Sequence, residues 1–385
     1  MKFIHLGDLH LGKSLSDFDL IDDQKYMLDK ILEVALERNV DAIMIAGDIY
    51  DKSIPSEAAV NLFDSFIKDV VDRNIKLYVV TGNHDSDERL NFGSSLFEAN
   101  NVFISAKYDG TLHKYTIPED SGDVNVYLMP FIKGSQVRHF YPDAEITNYD
   151  QAVRVAIENS EVKADECNVL IAHQFVGGTG CDLKLSGSEN PAVQNVGLVE
   201  IIGYDSFDAF DYVALGHIHS AQRVGRDEVR YCGSPLKYSL KEADNTKSIT
   251  VVEVKAGAKP VIEEVAIKPL RDLRHIRGKM KELLNSDNLC NTNDFIYVTL
   301  TDEEMANDTM SIFQNYCPYT VRVDYDNSHT QNIEQIDIAQ IDENLTFDEL
   351  ITNFYRQVYG CDISEDEMKL MKEIAKEAGV ADEAD

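Results

Sequence analysis

Phe3-Ile4-His5-Leu6-Gly7-Asp8-Leu9-His10 begins as an apolar run and ends in a carboxylate and an imidazole two residues apart. The same grammar recurs along the chain. Ala42-Ile43-Met44-Ile45-Ala46 runs into Gly47-Asp48-Ile49-Tyr50-Asp51, and Leu77-Tyr78-Val79-Val80 leads through Thr81 to Gly82-Asn83-His84-Asp85. Val169 to Ala172 is followed by His173, and Tyr212 to Leu215 by Gly216-His217-Ile218-His219. Continuous apolar runs of this length read as strands buried on both faces. Between them lie stretches of helical period: residues 24–37, with Met27, Leu28, Ile31, Leu32, Ala35 and Leu36, and residues 58–71. Further strands are expected at Val126 to Met129 and Ile249 to Val254. Strands alternating with helices predict an α/β fold.

Ligands of such sheets bind beyond the carboxyl ends of the strands. Five strands therefore deliver Asp8, His10, Asp48, Asn83, His173, His217 and His219 to one edge. These oxygen and nitrogen donors are too many for one ion. A shared carboxylate with three further ligands on either side serves two metals roughly 3.5–4 Å apart, the geometry that clamps a phosphoryl group and generates hydroxide at neutral pH. Carboxylate, imidazole and amide without thiolate suit Mn²⁺, Fe²⁺ or Zn²⁺ better than Mg²⁺ or a structural zinc. Gly7, Gly47, Gly82 and Gly216 beside the ligands let the backbone turn where the strands end.

D-x-H, G-D-x-x-D, G-N-H-D, a lone His and G-H-x-H, in that order, resemble the calcineurin-like metallophosphoesterase superfamily. The resemblance implies a four-layer αββα sandwich. It also implies that Asp8, His10, Asp48 and His219 hold one metal and Asp48, Asn83, His173 and His217 the other, with Asp48 bridging. A hydroxide between the metals would attack phosphorus in line, without a covalent enzyme intermediate, and His84 would stabilise or protonate the leaving oxygen. Asp85 is expected to orient the His84 imidazole. For Asp51, a turn or supporting role weighs against direct ligation.

The segments Asp211 to Gln222 and Tyr231 to Ser239, then Glu242 and Lys247-Ser248, narrow the resemblance to the SbcD family of bacterial nuclease subunits. Asp8-Leu9-His10-Leu11-Gly12 and His173-Gln174-Phe175-Val176 agree with it. The match covers about residues 1 to 255; the order of regions beyond agrees more loosely. It implies a Mn²⁺-activated DNA phosphodiesterase, acting as a double-strand exonuclease and a single-strand or hairpin endonuclease in DNA repair, recombination and replication. Its partners would be DNA and an SbcC-type coiled-coil ATPase, in a heterotetramer built on a homodimer of this chain. Helices near 56–72 and 88–99 would form the homodimer contact. Archaeal and eukaryotic relatives carry a His where this chain has Asp51, so the role of that His does not transfer. A small-molecule phosphodiesterase or phosphatase of the same superfamily is the alternative reading.

The domains expected are 1–268 for the nuclease unit, 269–340 for a small α+β DNA-capping domain, and 341–385 for C-terminal helices that dock the ATPase coiled coil. In the second, Phe295 to Leu300 and Thr320 to Val323 read as strands. Lys268, Arg271, Arg274, Arg277, Lys279 and Lys281 form a basic island that either tracks a phosphate backbone or is an exposed helix face. Thr346-x-x-Glu349 and Ser364-x-x-Glu367 are capping boxes ahead of apolar faces, which pack on their own domain or dock a partner. Among the other histidines, His5 reads as a core residue, and His113, His139, His275 and His329 as solvated.

The 385 residues predict roughly two to three domains, and 44% hydrophobic with 27% charged residues is the composition of a soluble globular protein. No apolar run approaches the roughly 20 residues that span a bilayer, and the N-terminus enters a strand directly, with no room for a signal peptide. Six scattered cysteines without a C-x-x-C pair read as thiols in a reducing cytoplasm. A net charge of -32 argues against a polyanion ligand. Bound divalent ions restrict that inference by offsetting acidic charge at the site itself. The remaining acidity predicts weak DNA affinity for the isolated chain, with a partner supplying most of the grip.

Overall fold

The computed structural model describes residues 1–178, 181–186, 201–285, 293–328, 348, 350–352, 355–356 and 363–377. The chain divides into two units, Met1–Arg274 and His275–Asp385. Within the first, the expected strands form not one sheet but two. One sheet orders Val261–Ala266, Ser248–Glu253, Lys2–Leu6, Ala42–Ala46, Lys76–Val80 and Val102–Ser105. The other orders Gln222–Val224, Arg226–Tyr231, Tyr212–Gly216, Cys167–His173, Val124–Met129 and His113–Ile117. In both, the ligand-bearing strands are central and pair in parallel, Phe3 with Ala42, Ala42 with Lys76, and Tyr212 with Val169.

Strand alternation explains the layers. Phe3, Ala42, Met44, Ala46, Tyr78 and Val80 of the first sheet meet Val126, Leu128, Val169, Ile171, Tyr212 and Ala214 of the second in one apolar cluster. The intervening residues of the second sheet, Tyr127, Leu170, Ala172, Val213 and Leu215, pack with Val137, Ala152, Val153 and Ala156 of the helices Gly134–Phe140 and Tyr149–Glu158. Helix Ile21–Glu37 buries Met27, Leu28, Ile31 and Leu32, and helix Glu57–Asp72, capped by Ser56, packs its Phe63 and Phe66 side toward the strand Lys76–Val80. The unit is thus an αββα sandwich. His5 is a core residue as expected: it is fully buried, with its ring nitrogens facing Tyr212 Oη at 2.9 Å and the Leu215 carbonyl at 3.2 Å. Burial pulls its pKa down to about 3.

In the second unit a three-stranded sheet orders Leu273–Gly278, Phe295–Leu300 and Thr320–Tyr325, and helix Thr309–Tyr316 adds Phe313 to a core of Ile296, Val298 and Leu300. One expectation is corrected. The basic island is not a helix face, because its centre is the strand Leu273–Gly278, where Arg277 pairs with Asp326. Arg271 pairs with Asp23 through Nε and Nη2. The second capping box is present: Glu367 N–H donates to Ser364 Oγ at 3.3 Å, and Ser364 N–H to Glu367 Oε2 at 3.0 Å, ahead of the helix Glu365–Glu377. Thr346 and Glu349 of the first box lie outside the described residues, as do Cys290, Cys361 and His329. Cys167, Cys181, Cys232 and Cys317 are free thiols.

Candidate metal centre

All seven expected ligands converge where the two sheets' strand ends meet. Asp8, His10, Asp48, His173, His217 and His219 are each buried, and their polar atoms face one another. Asp8, His10 and His219 offer ligand atoms within 4.8 Å of one another, and so do Asp8, Asp48 and His173. Asp48 stands between the two clusters, its Oδ2 at 3.7 Å from His10 Nε2 and 3.4 Å from His173 Nε2. Asn83 Oδ1 completes the second cluster, 3.0 Å from His173 Nε2 and 3.1 Å from His217 Nδ1.

The backbone holds this convergence under strain. Asp8, His10, Asp48 and His217 all have φ in the left-handed region, at 52°, 43°, 51° and 105°, which costs a non-glycine residue on the order of 1–2 kcal/mol. The loops are laced together to sustain it: Asp8 N–H donates to the Gly47 carbonyl at 3.1 Å and His10 N–H to that of Asp48 at 2.9 Å. Of the neighbouring glycines expected to permit sharp turns, Gly47 does so, with φ 81°. Gly216 has a different reason: a Cβ there would lie 1.8 Å from the Ala46 carbonyl oxygen of the facing sheet. Gly216→Ala must therefore push the sheets apart at the site. We expect it to destabilise the fold by about 1–3 kcal/mol or more, read as a lower denaturant midpoint with metal affinity reduced.

The donor set can be tested for its fit to cations. His173 Nδ1–H donates to the Ala46 carbonyl at 2.8 Å, which turns Nε2 toward the oxygens of Asn83 and Asp48. His219 Nδ1–H faces Glu242 Oε1 at 3.5 Å, so its Nε2 lone pair meets His10 Nε2 at 3.1 Å. His10 Nδ1 and His217 Nε2 are buried without any hydrogen-bond partner. Ring nitrogens and side-chain oxygens gathered at such short range, with two ring nitrogens left without partners, fit divalent cations bound by oxygen and nitrogen.

The electrostatics agree. Burial holds His10 well below the ordinary imidazole range against the pull of Asp48, and burial with the neighbouring His173 takes His217 down to about 3. Burial raises the Asp8 carboxyl to about 6. His173 is pulled down by burial but pushed up further by Asp48 and Asp8, to about 9. At neutral pH it therefore carries a proton that cation binding must displace.

His84 sits beside the ligands. Its N–H donates to Asp48 Oδ1 and its ring Nδ1–H to the Asp51 carbonyl, both at 2.9 Å. Asp85 is a correction. It does not touch the His84 ring; its carboxylate takes the N–H groups of Ile49 at 3.2 Å, Tyr50 at 3.0 Å and Gly82 at 2.9 Å. It ties together the loops carrying Asp48 and Asn83, because three buried N–H donors have a stronger claim on a carboxylate than a half-exposed imidazole. Burial and then Asp48 still raise it to about 7. The Asp51 carboxylate pairs with Lys13 Nζ at 2.6 Å, a supporting position.

Two supporting residues, Glu242 and Lys247, carry no role that their types or spacing announce. Glu242, fully buried, receives Lys247 Nζ at 2.6 Å and Ser234 Oγ at 3.2 Å while facing His219, and Lys247 Nζ also donates to the His219 carbonyl at 2.9 Å. Burial disfavours the Glu242 anion, but His219 and Lys247 hold it well below the usual carboxylate range. No spacing rule links such residues. Their one sequence signal was the family-like segment in which they stand.

Residues 1–221 match the family model of the calcineurin-like phosphoesterases, and residues 269–359 that of the type 5 capsule protein repressor C-terminal domain. The SbcD subunit of nuclease SbcCD from Staphylococcus epidermidis is 32% identical over 365 residues, with 93% of each chain covered. Among solved structures, a dimetal phosphatase from Danio rerio matches at 11% identity and a TM-score of 0.39, over 70% of this chain and 98% of its own. The phosphoesterase YfcE of E. coli matches at 12% and 0.28, over 70% and 100%.

Proposed function

This chain belongs to the calcineurin-like phosphoesterase family, and from that premise we propose that it is the metal-dependent nuclease subunit of an SbcCD-type complex. It hydrolyses DNA phosphodiesters as a double-strand exonuclease and a single-strand or hairpin endonuclease, in repair, recombination and replication. The observation that carries the reading is the convergence of seven oxygen and nitrogen ligands from five strand ends, with their polar atoms facing one another and two buried ring nitrogens left without partners.

Asp8, His10, Asp48 and His219 would hold one ion, and Asp48, Asn83, His173 and His217 the other. The position of Asp48 Oδ2 between His10 and His173 supports its bridging role. When bound, the ions supply Lewis acidity toward the phosphoryl oxygens and lower the pKa of the attacking water. The chain's own groups do the rest. Asp85 fixes the loops that present Asp48 and Asn83. Glu242 fixes the His219 tautomer. His84, its Nδ1–H held by Asp51, presents Nε2 to the leaving oxygen. Mn²⁺ is the proposed ion, matching a hard donor set without thiolate.

An SbcC-type ATPase would dock on the C-terminal helix, where Leu370 and Ile374 are half exposed one turn apart. A homodimer is supported by the exposed Ile54, Val60, Phe92 and Leu96 on and around the helices Glu57–Asp72, Asp87–Asn91 and Ser94–Phe97. Residues 269–340 would cap the DNA. A cytoplasmic location accords with the free thiols, and among the described residues no helix is long and apolar enough to cross a membrane.

The test is cleavage of hairpin and linear duplex DNA with Mn²⁺, with and without the ATPase partner. Cleavage should appear with Mn²⁺, vanish on chelation and return on Mn²⁺ addition. Hydrolysis of a chromogenic phosphodiester with both DNAs left intact would instead make the chain a small-molecule phosphodiesterase.

A further inference from the structure

Beside the second ligand cluster lies a cavity of about 580 Å³, with Asn83 and His217 on its wall. Gln174 also lines it. The Gln174 side chain is fully buried, yet both Oε1 and Nε2 lack any hydrogen-bond partner. A buried carboxamide with neither end satisfied is rare, and it calls for a ligand that offers a donor and an acceptor side by side. Phe131, Phe175 and Tyr149 border the same space and are only partly buried, so aromatic surface is available to a flat guest. Phe175 lies edge-on to His217, at 5.8 Å between ring centres, which places the aromatic wall next to a metal-side imidazole. The charged groups around the cavity are Asp85, Asp87 and Glu88 against Lys133. That balance disfavours a second phosphate and favours a neutral guest.

From these features we infer that the cavity receives an unpaired nucleobase of the nucleotide at the scissile phosphate, stacked on the aromatic wall and paired edge-on with the Gln174 carboxamide. A glutamine amide matches the adjacent amino donor and ring-nitrogen acceptor of adenine, and a base can enter such a pocket only when it is out of its duplex stack. The inference rests on the nuclease reading and deepens it. It gives a structural reason for hairpin and single-stranded substrates, whose loop bases are already unpaired.

The probes are deoxyadenosine 5′-monophosphate and its base-less counterpart, 2-deoxyribose 5-phosphate, titrated into the Mn²⁺-loaded protein. The native chain should bind the nucleotide about tenfold or more tighter than the sugar phosphate. Gln174→Met, close in shape and without the amide, should shrink that ratio at least about fivefold. Its melting temperature without ligand should not fall, because no protein hydrogen bond is lost. Equal binding of the two probes by the native chain, or an unchanged ratio in the variant, overturns the inference, and a lowered melting temperature would assign Gln174 to the fold instead. The binding ratio does not depend on catalysis. Failure of the nuclease reading would show separately, as DNA left uncut by a protein that still tells the two probes apart.

Discussion

Asp48→Asn should abolish metal binding and phosphodiester hydrolysis together, lowering kcat/KM by about a thousandfold or more. Several kcal/mol of transition-state charge stabilisation depend on the ions, and each 1.4 kcal/mol is about a factor of ten. The substitution keeps the shape of the side chain and can still accept the His84 N–H now bound at 2.9 Å. What disappears is the single negative charge between His10 and His173, 3.7 and 3.4 Å away. Neither half of the site can compensate. Asp8 is tied by both its oxygens to the His217 N–H, at 2.9 and 3.1 Å, and Asn83 is uncharged. Calorimetric titration with Mn²⁺ should show both strong binding events weakened or lost. A variant that binds two equivalents tightly and cuts DNA at the native rate would overturn the bridging assignment.

The ligands were legible because each stands at the end of an apolar run too continuous to be anything but a central strand. The runs at Ala42 to Ala46 and Phe295 to Leu300 coincide with the observed strands. Edge and hairpin strands were less legible. Val261–Ala266 carries Glu263 and Glu264 and is largely exposed, and His113–Ile117 alternates polar with apolar residues, so neither resembles a buried run. The helix-face reading of the basic island failed for a related reason: in Leu273–Gly278 the charges of Arg274 and Arg277 are three residues apart, a spacing that in a short window passes for a helix face although in a strand it puts them on opposite sides.

Roles that depend on a backbone donor were beyond the sequence altogether. Asp85 stands next to His84 in the chain, and adjacency suggested partnership. In the fold its oxygens point instead to N–H groups 35 and 36 residues back. Glu242 likewise finds His219 across 23 residues. Metal ligands are chosen by element, and chemistry limits which elements qualify. Supporting groups are chosen by position, and position exists only after folding.

His84→Gln separates acid chemistry from metal binding, because the ring of His84 hydrogen-bonds to the Asp51 carbonyl and meets the ligand His10 only through an edge-on ring contact, 5.0 Å between centres. The bond that joins it to the centre, from its backbone N–H to Asp48, survives the substitution. Metal stoichiometry should therefore stay at the native value while DNA cleavage falls by about 10²–10⁴, the usual contribution of a positioned acid or base. The leaving group discriminates further. A DNA 3′- or 5′-oxygen leaves as a strongly basic alkoxide unless a proton reaches it, whereas nitrophenolate leaves well without one. A nitrophenyl phosphodiester should accordingly lose much less activity than DNA in the same variant. Equal losses on both substrates would mean that His84 stabilises charge on the phosphoryl group and delivers no proton, and native DNA cleavage would remove it from the reaction. Lys13 sharpens the expectation, since its ammonium 2.6 Å from the Asp51 carboxylate holds the segment whose carbonyl fixes the His84 tautomer. The ring is thereby set with Nδ1–H held by the Asp51 carbonyl, so that Nε2 is the position from which the imidazolium form would pass its proton to the leaving oxygen.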